Sequence, residues 1–439
     1  MVVLKSRSIL GFDVYLLVAS LSLMVIGILF VYSSGVTATG EVFSKEYLKQ
    51  IVWVAIGIAI LFGVSIIEYS RLRDWAPYLY GAFGLALIAT LISGKVVNGS
   101  RSWLGVVGLG FQPSEFMKIA TILLLARYLE RTGGREMDFR RFAVAFGIAM
   151  LPMLLILAQP DLGTALVYLP IFMFMVFTAG GKPHHIMFLL LTGFLVIVLT
   201  VLPAWQTQIL GNQVPALQVV TSMRLMIYPL AGIVVVILLS LVGLVILKRR
   251  YYYWVTYASL ILLFAMIGSI GARAFLKEYQ IMRLIVFLDP YVDPRGAGWN
   301  IIQSVTAVGS GGLFGKGFLQ GTQSHYQYLP QQSTDFIFSI LAEEWGFFGA
   351  VVVFSLFMVI LIRGLYIVTQ AKDRFAAIAG SGIVGMIFFH FIVNVGMAIG
   401  IMPITGIPLF FLSHGGSSLW TALIGVGLLM SIYHHRYQY

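Results

Sequence analysis

Long apolar runs separated by short polar segments limit how this chain of 439 residues can fold. Hydrophobic residues make up 59% of the sequence and charged residues 10%, whereas a soluble domain carries roughly 25% charge. In lipid, every backbone polar group needs an internal partner, which favours a helix for each run of about 20 apolar residues. The sequence therefore predicts an all-α, polytopic transmembrane helical bundle, with residues 1–439 forming a single integral membrane domain.

Twelve apolar runs are predicted to span the membrane, and the first is long enough to be a span rather than a cleaved signal peptide. Basic clusters follow alternate spans, and Lys and Arg are enriched in cytoplasmic loops. With Lys5 and Arg7 near the start, this alternation predicts that both termini lie in the cytoplasm. The predicted spans cover residues 12–33, 49–68, 76–94, 113–130, 142–158, 163–179, 185–203, 229–247, 252–273, 336–362, 376–399 and 419–433.

The excess of basic residues gives a net charge of +11, which raises the question of a nucleic-acid partner. The basic side chains lie in short loops between spans, where they set orientation and also suit anionic headgroups. No nucleic-acid partner is therefore predicted. The sequence contains no cysteine, which excludes disulfides and a thiol nucleophile, and no His/Glu cluster has the spacing of a zinc site.

The most informative polar segment is 330–344, where a long loop ends and an apolar helix is predicted to begin. It places Asp335 at the helix entry and Glu343 and Glu344 further along the helix. Ionisable groups at membrane depth are costly, so they usually carry function or pair with another charge. For Asp335, the local sequence leaves two interpretations: a catalytic carboxylate, or a structural acid in the first helical turn.

The segment 274–335 is predicted to be a long loop on the outer side of the membrane. A connection of this length is usually functional or disordered, and its many aromatic residues argue against disorder. It contains Arg283 and a glycine-rich run, 309–317, which lacks the context of a nucleotide-binding loop. These glycines could let backbone N–H groups approach a phosphate, with Lys316 as counter-charge. A turn-rich loop folded over the bundle is the alternative.

Two segments, 98–103 and 111–118, form a second polar region on the predicted outer side. Glu115 and Lys118 are three residues apart and share a helix face. They form either an ion pair that braces two helices or a polar contact to a lipid headgroup. Trp103 is either an interfacial anchor or a platform on which a sugar stacks.

Two further polar segments are predicted on the same side. In 159–164, Asp161 follows Gln-Pro and begins a helix, which leaves a capping role and a catalytic role open. Prolines and glycines interrupt the apolar sequence at 403–418, shortly after Asn394, and broken backbone at membrane depth needs a cavity or protein around it. His414 in this stretch is either a proton relay or a packing residue.

Taken together, these segments resemble the shape, elongation, division and sporulation (SEDS) family, and they occur in the family's order. They are Asn98-Gly-Ser-Arg-Ser-Trp103, Phe111-Gln-Pro-Ser-Glu115, Gln159-Pro-Asp-Leu-Gly-Thr164, Gly298-Trp-Asn-Ile-Ile-Gln-Ser304, Thr334-Asp-Phe-Ile-Phe338 and Gly415-Gly-Ser-Ser418. Within the family, three further segments are more similar to the rod-shape elongation branch than to the division branch. These are Leu288-Asp-Pro290, Gly317-Phe-Leu-Gln-Gly-Thr-Gln323 and Met402-Pro-Ile-Thr-Gly-Ile-Pro408.

The resemblance implies a peptidoglycan glycosyltransferase that polymerises lipid II outside the cytoplasmic membrane. It also implies a class B penicillin-binding protein transpeptidase and other elongation-complex membrane proteins as partners. The family's essential acid matches Asp335, the Trp of its first outer motif matches Trp103, and its membrane Glu and Lys match Glu115 and Lys118. The family normally has ten spans, so an inserted helix pair is expected within 185–247.

For this reaction, Asp335 is the predicted general base that accepts the proton of an attacking sugar hydroxyl. The charge of the leaving pyrophosphate must be offset by cations or a metal. A divalent cation such as Mg or Mn is compatible with this chemistry, but the sequence supplies no ligand set for one. The predicted substrate-binding residues are Trp103, Arg101, Glu115, Lys118, Asp161, Arg283 and Lys316.

Two functions from other classes remain open. A transporter or flippase of the lipid-linked precursor also suits twelve spans with broken helices and membrane acids. It would need a polar path open to both faces, whereas the polar motifs gather on one side. A non-catalytic scaffold of the wall-building complex would leave the acids and the long loop unexplained.

Overall fold

The computed structural model describes residues 12–97, 100–105, 111–133, 137–211, 214–222 and 224–437. These residues form the helices α1 Val14–Ser33, α2 Glu46–Ile66, α3 Tyr69–Ser93, α4 Pro113–Arg131, α5 Phe139–Ala158, α6 Leu162–Leu166, α7 Tyr168–Thr178, α8 Pro183–Gln208, α9 Gln218–Thr221, α10 Ile227–Ile246, α11 Arg250–Phe275, α12 Glu278–Leu288, α13 Trp299–Ser310, α14 Thr322–His325, α15 Ile337–Thr369, α16 Arg374–Ala398 and α17 Gly416–His434. Two short antiparallel strands, β1 Lys95–Val97 and β2 Ser100–Trp103, were not predicted from the sequence.

Eleven of the twelve predicted spans each overlap one long helix, the twelfth overlaps two shorter ones, and the predicted all-α polytopic fold is confirmed. Within the described residues, ten helices are long and apolar enough to cross a membrane. The two predicted spans outside this set are 113–130 and 163–179. The first is α4, which carries several charged residues, and the second is divided into the shorter helices α6 and α7.

Aspartate side chains fix the starts of three of the long helices. Asp13, Asp138 and Asp373 each accept a hydrogen bond from a backbone N–H in the first turn, at 3.0, 2.9 and 2.8 Å respectively. Such caps satisfy one of the N–H groups that the helix leaves without a partner. Asp13 also accepts from the Arg363 guanidinium of α15, so the cap joins two helices as well.

The chain contacts divide into two compact units. The first contains residues 1–181 and 303–439, and in it α2 packs on α17, α3 on α4, α7 on α16, and α15 on both α1 and α16. Helices α16 and α17 are the most buried of the long helices. Small residues let them approach their neighbours, as in lipid-embedded bundles: a Cβ at Gly382 of α16 would come within 2.7 Å of the Met175 sulfur of α7.

The second unit, residues 182–302, contains α8 to α12. In it α11 packs on both α8 and α10. The partly buried Arg273 of α11 donates to the Thr221 carbonyl at 3.1 Å and also to the Leu199 carbonyl. The helix pair predicted to be inserted within 185–247 corresponds to α8 and α10, both of which belong to this unit.

The segment 274–335, predicted as a long structured loop, contains helices. The part of this segment that belongs to the first unit is bound to α15 where that helix is broken. Gly346 has φ of +64° and ψ of −157°, and a Cβ there would come within 2.7 Å of Leu313 O. Around this break, the Lys316 N–H donates to Glu343 O at 3.0 Å and the Phe347 N–H donates to Gly312 O at 2.9 Å. Glycine is therefore required where the loop and the opened helix exchange backbone hydrogen bonds.

Candidate active site

The 400–415 loop, which connects α16 to α17, is where the separate polar motifs of the first unit meet. Asn394, near the end of α16, donates through Nδ2 to the carbonyl oxygens of Ile407 and Asp335, at 2.8 Å each. The Asn394 amide thus joins the 400–415 loop to Asp335, two residues before α15 begins. The sequence motifs around Asn394 and Asp335 are 59 residues apart, and this contact brings them together.

Asp335 lies beside the 400–415 loop and is partly exposed. Its N–H donates to Gln331 O at 3.0 Å, which places it in a turn before α15 rather than inside the helix. The carboxylate lies beside Gly406, which is exposed, since a Cβ built there would be 3.6 Å from Asp335 Oδ2. The His414 N–H donates to Ser333 O at 2.8 Å and holds the same turn. The carboxylate is therefore within reach of a ligand on the loop surface.

His414 lies in a packing position beside α2. Its ring centroid is 4.6 Å from that of Trp53, and its Nδ1 is buried. Burial lowers the pKa of His414, with a smaller opposing effect of Glu46. These surroundings favour the packing interpretation over the proton relay.

Asp161 caps the short helix α6. It accepts from the Thr164 N–H at 3.1 Å and from the Thr164 hydroxyl at 2.9 Å, while Gln112 Nε2 lies 3.3 Å from its Oδ2. Gly163, two residues later, lies directly against Thr405 O of the 400–415 loop. The capping interpretation therefore describes what Asp161 does locally, and the cap also fixes α6 against the loop.

Glu115 and Lys118 form a buried ion pair at the start of α4. Lys118 Nζ lies 2.8 Å from Glu115 Oε1 and 3.1 Å from His390 Nε2. The residues Glu115, Lys118 and His390 are 2%, 0% and 1% exposed, respectively. The ion-pair alternative is the one seen in the structure. Such a pair is stable in a low dielectric only when further hydrogen bonds support it, and His390 supplies one.

Trp103 and Arg101 lie on β2, which is attached to the Gln159 turn. The Arg101 N–H donates to Gln159 O at 3.1 Å, and its guanidinium Nη1 is 3.5 Å from Leu91 O. Arg101 is exposed and Trp103 is partly exposed. The first two residues of this motif, 98–99, lie outside the described residues. Trp103 therefore has surface available for stacking, which the platform interpretation requires.

The two cations predicted in the long loop have different surroundings. Lys316 Nζ donates to Glu343 Oε1 at 2.7 Å and to the Thr322 hydroxyl at 2.7 Å, so its charge is paired. Arg283 belongs to α12 of the second unit, where its guanidinium lies 5.6 Å from the Tyr279 ring centroid. The acid Glu343 therefore pairs with a charge, which is one of the two outcomes expected of a membrane acid.

Two residues of this site were not singled out from the sequence. His390 is the one histidine of α16 and precedes Asn394 by four residues, so the two side chains share a helix face. This spacing of two polar residues is the sequence signal from which His390 could have been predicted. Gly406 has φ of +72° and underlies the Asp335 carboxylate. No local signal separates it from the chain's other glycines.

The part of the chain that the structure describes contains no set of side-chain ligands for the divalent cation considered from the sequence. No three His, Asp or Glu side chains there come together closely enough to hold an ion. Asp161 is already occupied as a helix cap. A divalent cation therefore stays a prediction from the sequence, and no reaction step is assigned to one.

Comparison with known proteins gives matches along almost the whole chain. A family model described as cell cycle protein, covering FtsW, RodA and SpoVE, matches residues 14–212 and 205–438. The peptidoglycan glycosyltransferase RodA of Treponema pallidum (strain Nichols) is 49% identical over 429 residues, which cover 98% of this chain and 99% of that protein. The peptidoglycan glycosyltransferase MrdB of Escherichia coli (strain K12) is 32% identical over 388 residues, covering 88% and 85%.

A solved structure has the same fold. It comes from work on the structural coordination of polymerization and crosslinking by a peptidoglycan synthase complex. Its TM-score is 0.67 at 28% identity, and the match covers 98% of this chain and 100% of that chain.

The fold and its long apolar helices define an integral membrane protein. The chain belongs to the FtsW, RodA and SpoVE family, because the family model and the relatives match nearly its full length. The family resemblance carried by the sequence motifs is thereby confirmed.

Proposed function

We propose that this protein is a peptidoglycan glycosyltransferase that polymerises lipid II into glycan strands at the outer face of the cytoplasmic membrane during cell elongation. The relatives from Treponema pallidum and Escherichia coli carry the name of this activity. Within the molecule, the observation that carries the proposal is the position of Asp335. Asp335 is partly exposed at the entry to a long apolar helix, and its carboxylate lies beside the exposed Gly406, a position that suits a lipid-anchored sugar.

Asp335 acts as the general base in this mechanism. A hydroxyl of the acceptor sugar attacks the anomeric carbon of the donor sugar, and the bond from that carbon to the lipid pyrophosphate breaks. The Asp335 carboxylate takes the hydroxyl proton, and the pyrophosphate leaves with the bonding electrons. A positioned base of this kind contributes about 10²–10⁴-fold to a rate.

Cations offset the charge that develops on the leaving pyrophosphate. Arg101 is the best placed of the predicted cations for direct contact, because it is exposed and adjoins the stacking platform Trp103. Lys118 is buried against Glu115, and Lys316 forms an ion pair with Glu343. Both lysines therefore act on the substrate through the electrostatic potential and the shape of the site, rather than by direct contact.

The proposed orientation places both termini in the cytoplasm and Asp335 outside. Its support is the distribution of basic residues, which cluster at the end opposite to the Asp335 turn, at Arg127 and Arg131 in α4 and at Arg363 in α15. The proposed partner is a class B penicillin-binding protein transpeptidase, together with other elongation-complex proteins. The support for this partner is the similar structure from a complex that couples polymerization to crosslinking.

Polymerisation of lipid II by the purified, reconstituted protein is the direct test. We expect glycan chains from the wild-type protein and at least about 10²-fold less product from Asp335→Asn, because the amide cannot accept the proton. Lipid II binding and thermal stability should be nearly unchanged in this variant. Addition of the transpeptidase should crosslink the product.

The matched control is Asp74→Asn, which makes the same substitution at an exposed acid beside Arg73 of α3 and should leave the polymer yield unchanged. Full activity of Asp335→Asn would remove Asp335 from the role of base. Transfer of lipid II across vesicles without polymer would favour the flippase alternative. If the protein neither polymerises nor transfers lipid II, but the transpeptidase still depends on it for activity, the scaffold alternative is favoured.

A further inference from the structure

Helix α16 presents two polar side chains, His390 and Asn394, on one face of its largely apolar second half. His390 and Asn394 are four residues apart, so they lie on the same side of the helix. Both are fully buried. A buried imidazole or amide is retained where hydrogen-bond partners satisfy it. The partners of both side chains lie on the 400–415 loop and on the two elements that carry Asp335 and Lys118.

Asn394 holds two separate pieces of backbone at a fixed spacing. Its Nδ2 donates to Asp335 O and to Ile407 O, both at 2.8 Å. An amide nitrogen has two N–H groups, so one serves each carbonyl. Because the Asp335 carbonyl is held by α16, the Asp335 Cα, from which the carboxylate extends, is held as well.

His390 makes the corresponding link to the buried ion pair. Its Nδ1 lies 3.0 Å from Pro408 O, and a carbonyl only accepts, so Nδ1 carries the proton in this arrangement. Nε2 is then an acceptor, and Lys118 Nζ lies 3.1 Å from it. The ring also stacks on Phe410, at 3.7 Å between centroids. His390 therefore joins Lys118 to the loop residue that follows Ile407.

The part of the loop held in this way is the part on which the Asp335 carboxylate rests. Gly406 precedes Ile407 and lies beside Asp335 Oδ2, at a spacing that a Cβ on Gly406 would reduce to 3.6 Å. A shift of the loop would therefore move the surface beneath the carboxylate. Misplacement of a catalytic group by about 1 Å can lower a rate by about 10²-fold.

Resting on the function proposed above, we propose that His390 and Asn394 are positioning residues for polymerisation. They set the distance and orientation between the Asp335 carboxylate and the Lys118–Glu115 pair, and they do so from a buried helix face without touching substrate. Loss of either side chain should therefore reduce turnover much more than substrate affinity.

The first test measures kcat and KM for lipid II with the reconstituted full-length protein. Asn394→Leu keeps the approximate size of the side chain and removes both donors. We expect kcat to fall about 10- to 100-fold and KM to stay within about threefold. The matched control is Ser431→Ala, which removes the buried hydrogen bond from Ser431 Oγ to Ile67 O at the opposite end of α17. It should lower thermal stability without lowering kcat.

The second test uses a pair of substitutions at His390. His390→Phe keeps a ring against Phe410 and removes both polar contacts, whereas His390→Gln restores one donor and one acceptor. We expect kcat to fall about 10-fold in the first variant and to return to within about threefold of wild type in the second. Rescue by Gln separates positioning from packing, because Phe is the better packing match.

The proposal is overturned if Asn394→Leu keeps wild-type kcat, or if it and Ser431→Ala lose kcat equally and in step with thermal stability. If Asn394→Leu yields no folded protein, the His390 pair decides: wild-type kcat in His390→Phe overturns the positioning role. Absence of polymer from the wild-type protein would instead overturn the proposed function, and the positioning role with it.

Discussion

At the scale of single residues, the acids near the start of α15 differ in what surrounds their carboxylates. Glu343 accepts from the Lys316 ammonium and from the N–H groups of Thr322 and Gln323, at 2.7 to 3.1 Å. Glu344 accepts from the Ser33 hydroxyl and from a backbone N–H of the loop. Both are fully buried, whereas Asp335 is partly exposed. Glu343 and Glu344 therefore hold the loop, whereas Asp335 lies in the more accessible position that the proposed chemistry needs.

The Glu344–His325 pair predicts a pH-dependent stability. Its carboxylate, 3.3 Å from His325 Nε2, raises the pKa of His325 against the opposing effect of burial. A raised pKa stabilises the fold fully below the unfolded value of about 6.5, and this contribution is lost as pH rises through the folded value. We expect His325→Gln to cost about 1–3 kcal/mol below pH 6 and less at pH 9.

Thermal denaturation of both proteins between pH 5.5 and 9 measures this difference. A gap between wild type and His325→Gln that is constant, or that widens with pH, would contradict the ion pair.

At the scale of elements, the break in α15 shows why a helix long enough to span the membrane also anchors a loop. At Gly346 the helix opens, and the backbone groups so released bond to residues 311–317. Unpaired backbone groups at membrane depth are costly, so the break exists only because this loop satisfies them. The glycine-rich run, which the sequence left open as a phosphate loop or a folded turn, is in the structure the partner of the break.

Gly346→Ala should therefore disrupt the protein, whereas Gly81→Ala should not. A Cβ at Gly346 would collide with Leu313 O at 2.7 Å and would also require a left-handed conformation. We expect a loss of about 2–4 kcal/mol from such strain and overpacking. Gly81 of α3 has nothing within 4 Å of the added Cβ, and alanine there should stabilise by about 0.4–1 kcal/mol.

Thermal denaturation in one detergent or lipid mixture measures both variants. A Gly346→Ala protein as stable as Gly81→Ala would show that the backbone around the break is free to relax. In that case the break would not determine where the loop lies.

At the scale of the whole molecule, the two candidate functions to distinguish are catalysis at one membrane face and transport across the membrane. The polar motifs of the first unit converge on the 400–415 loop, at one end of the long helices. At the other end of these helices, Arg127 contacts Arg73, and Arg363 pairs with Asp13 at the start of α1. This asymmetry fits a surface enzyme that binds a lipid-anchored substrate and processes it on one side.

The absence of cysteine makes the proposed orientation directly measurable. Tyr326→Cys and Lys372→Cys each introduce one thiol at an exposed position, the first near the Asp335 turn and the second between α15 and α16. In intact cells, a membrane-impermeant maleimide should label Cys introduced at 326 and not at 372. After permeabilisation it should label both. The reverse pattern would place Asp335 in the cytosol and end the polymerase proposal.

The sequence by itself determined which long apolar segments are helical, and it identified Asp335 as the candidate catalytic acid. Apolar runs of membrane length must form helices because lipid offers no backbone partners, and Asp335 is distinguished by its position between a polar loop and such a run. The i, i+3 spacing also predicted the Glu115–Lys118 pair. Tertiary structure alone decided that His390, 272 residues from Lys118, completes that pair, and that Gly406 lies under Asp335. Neighbours across a bundle depend on how every helix rotates and packs, and local sequence does not encode that.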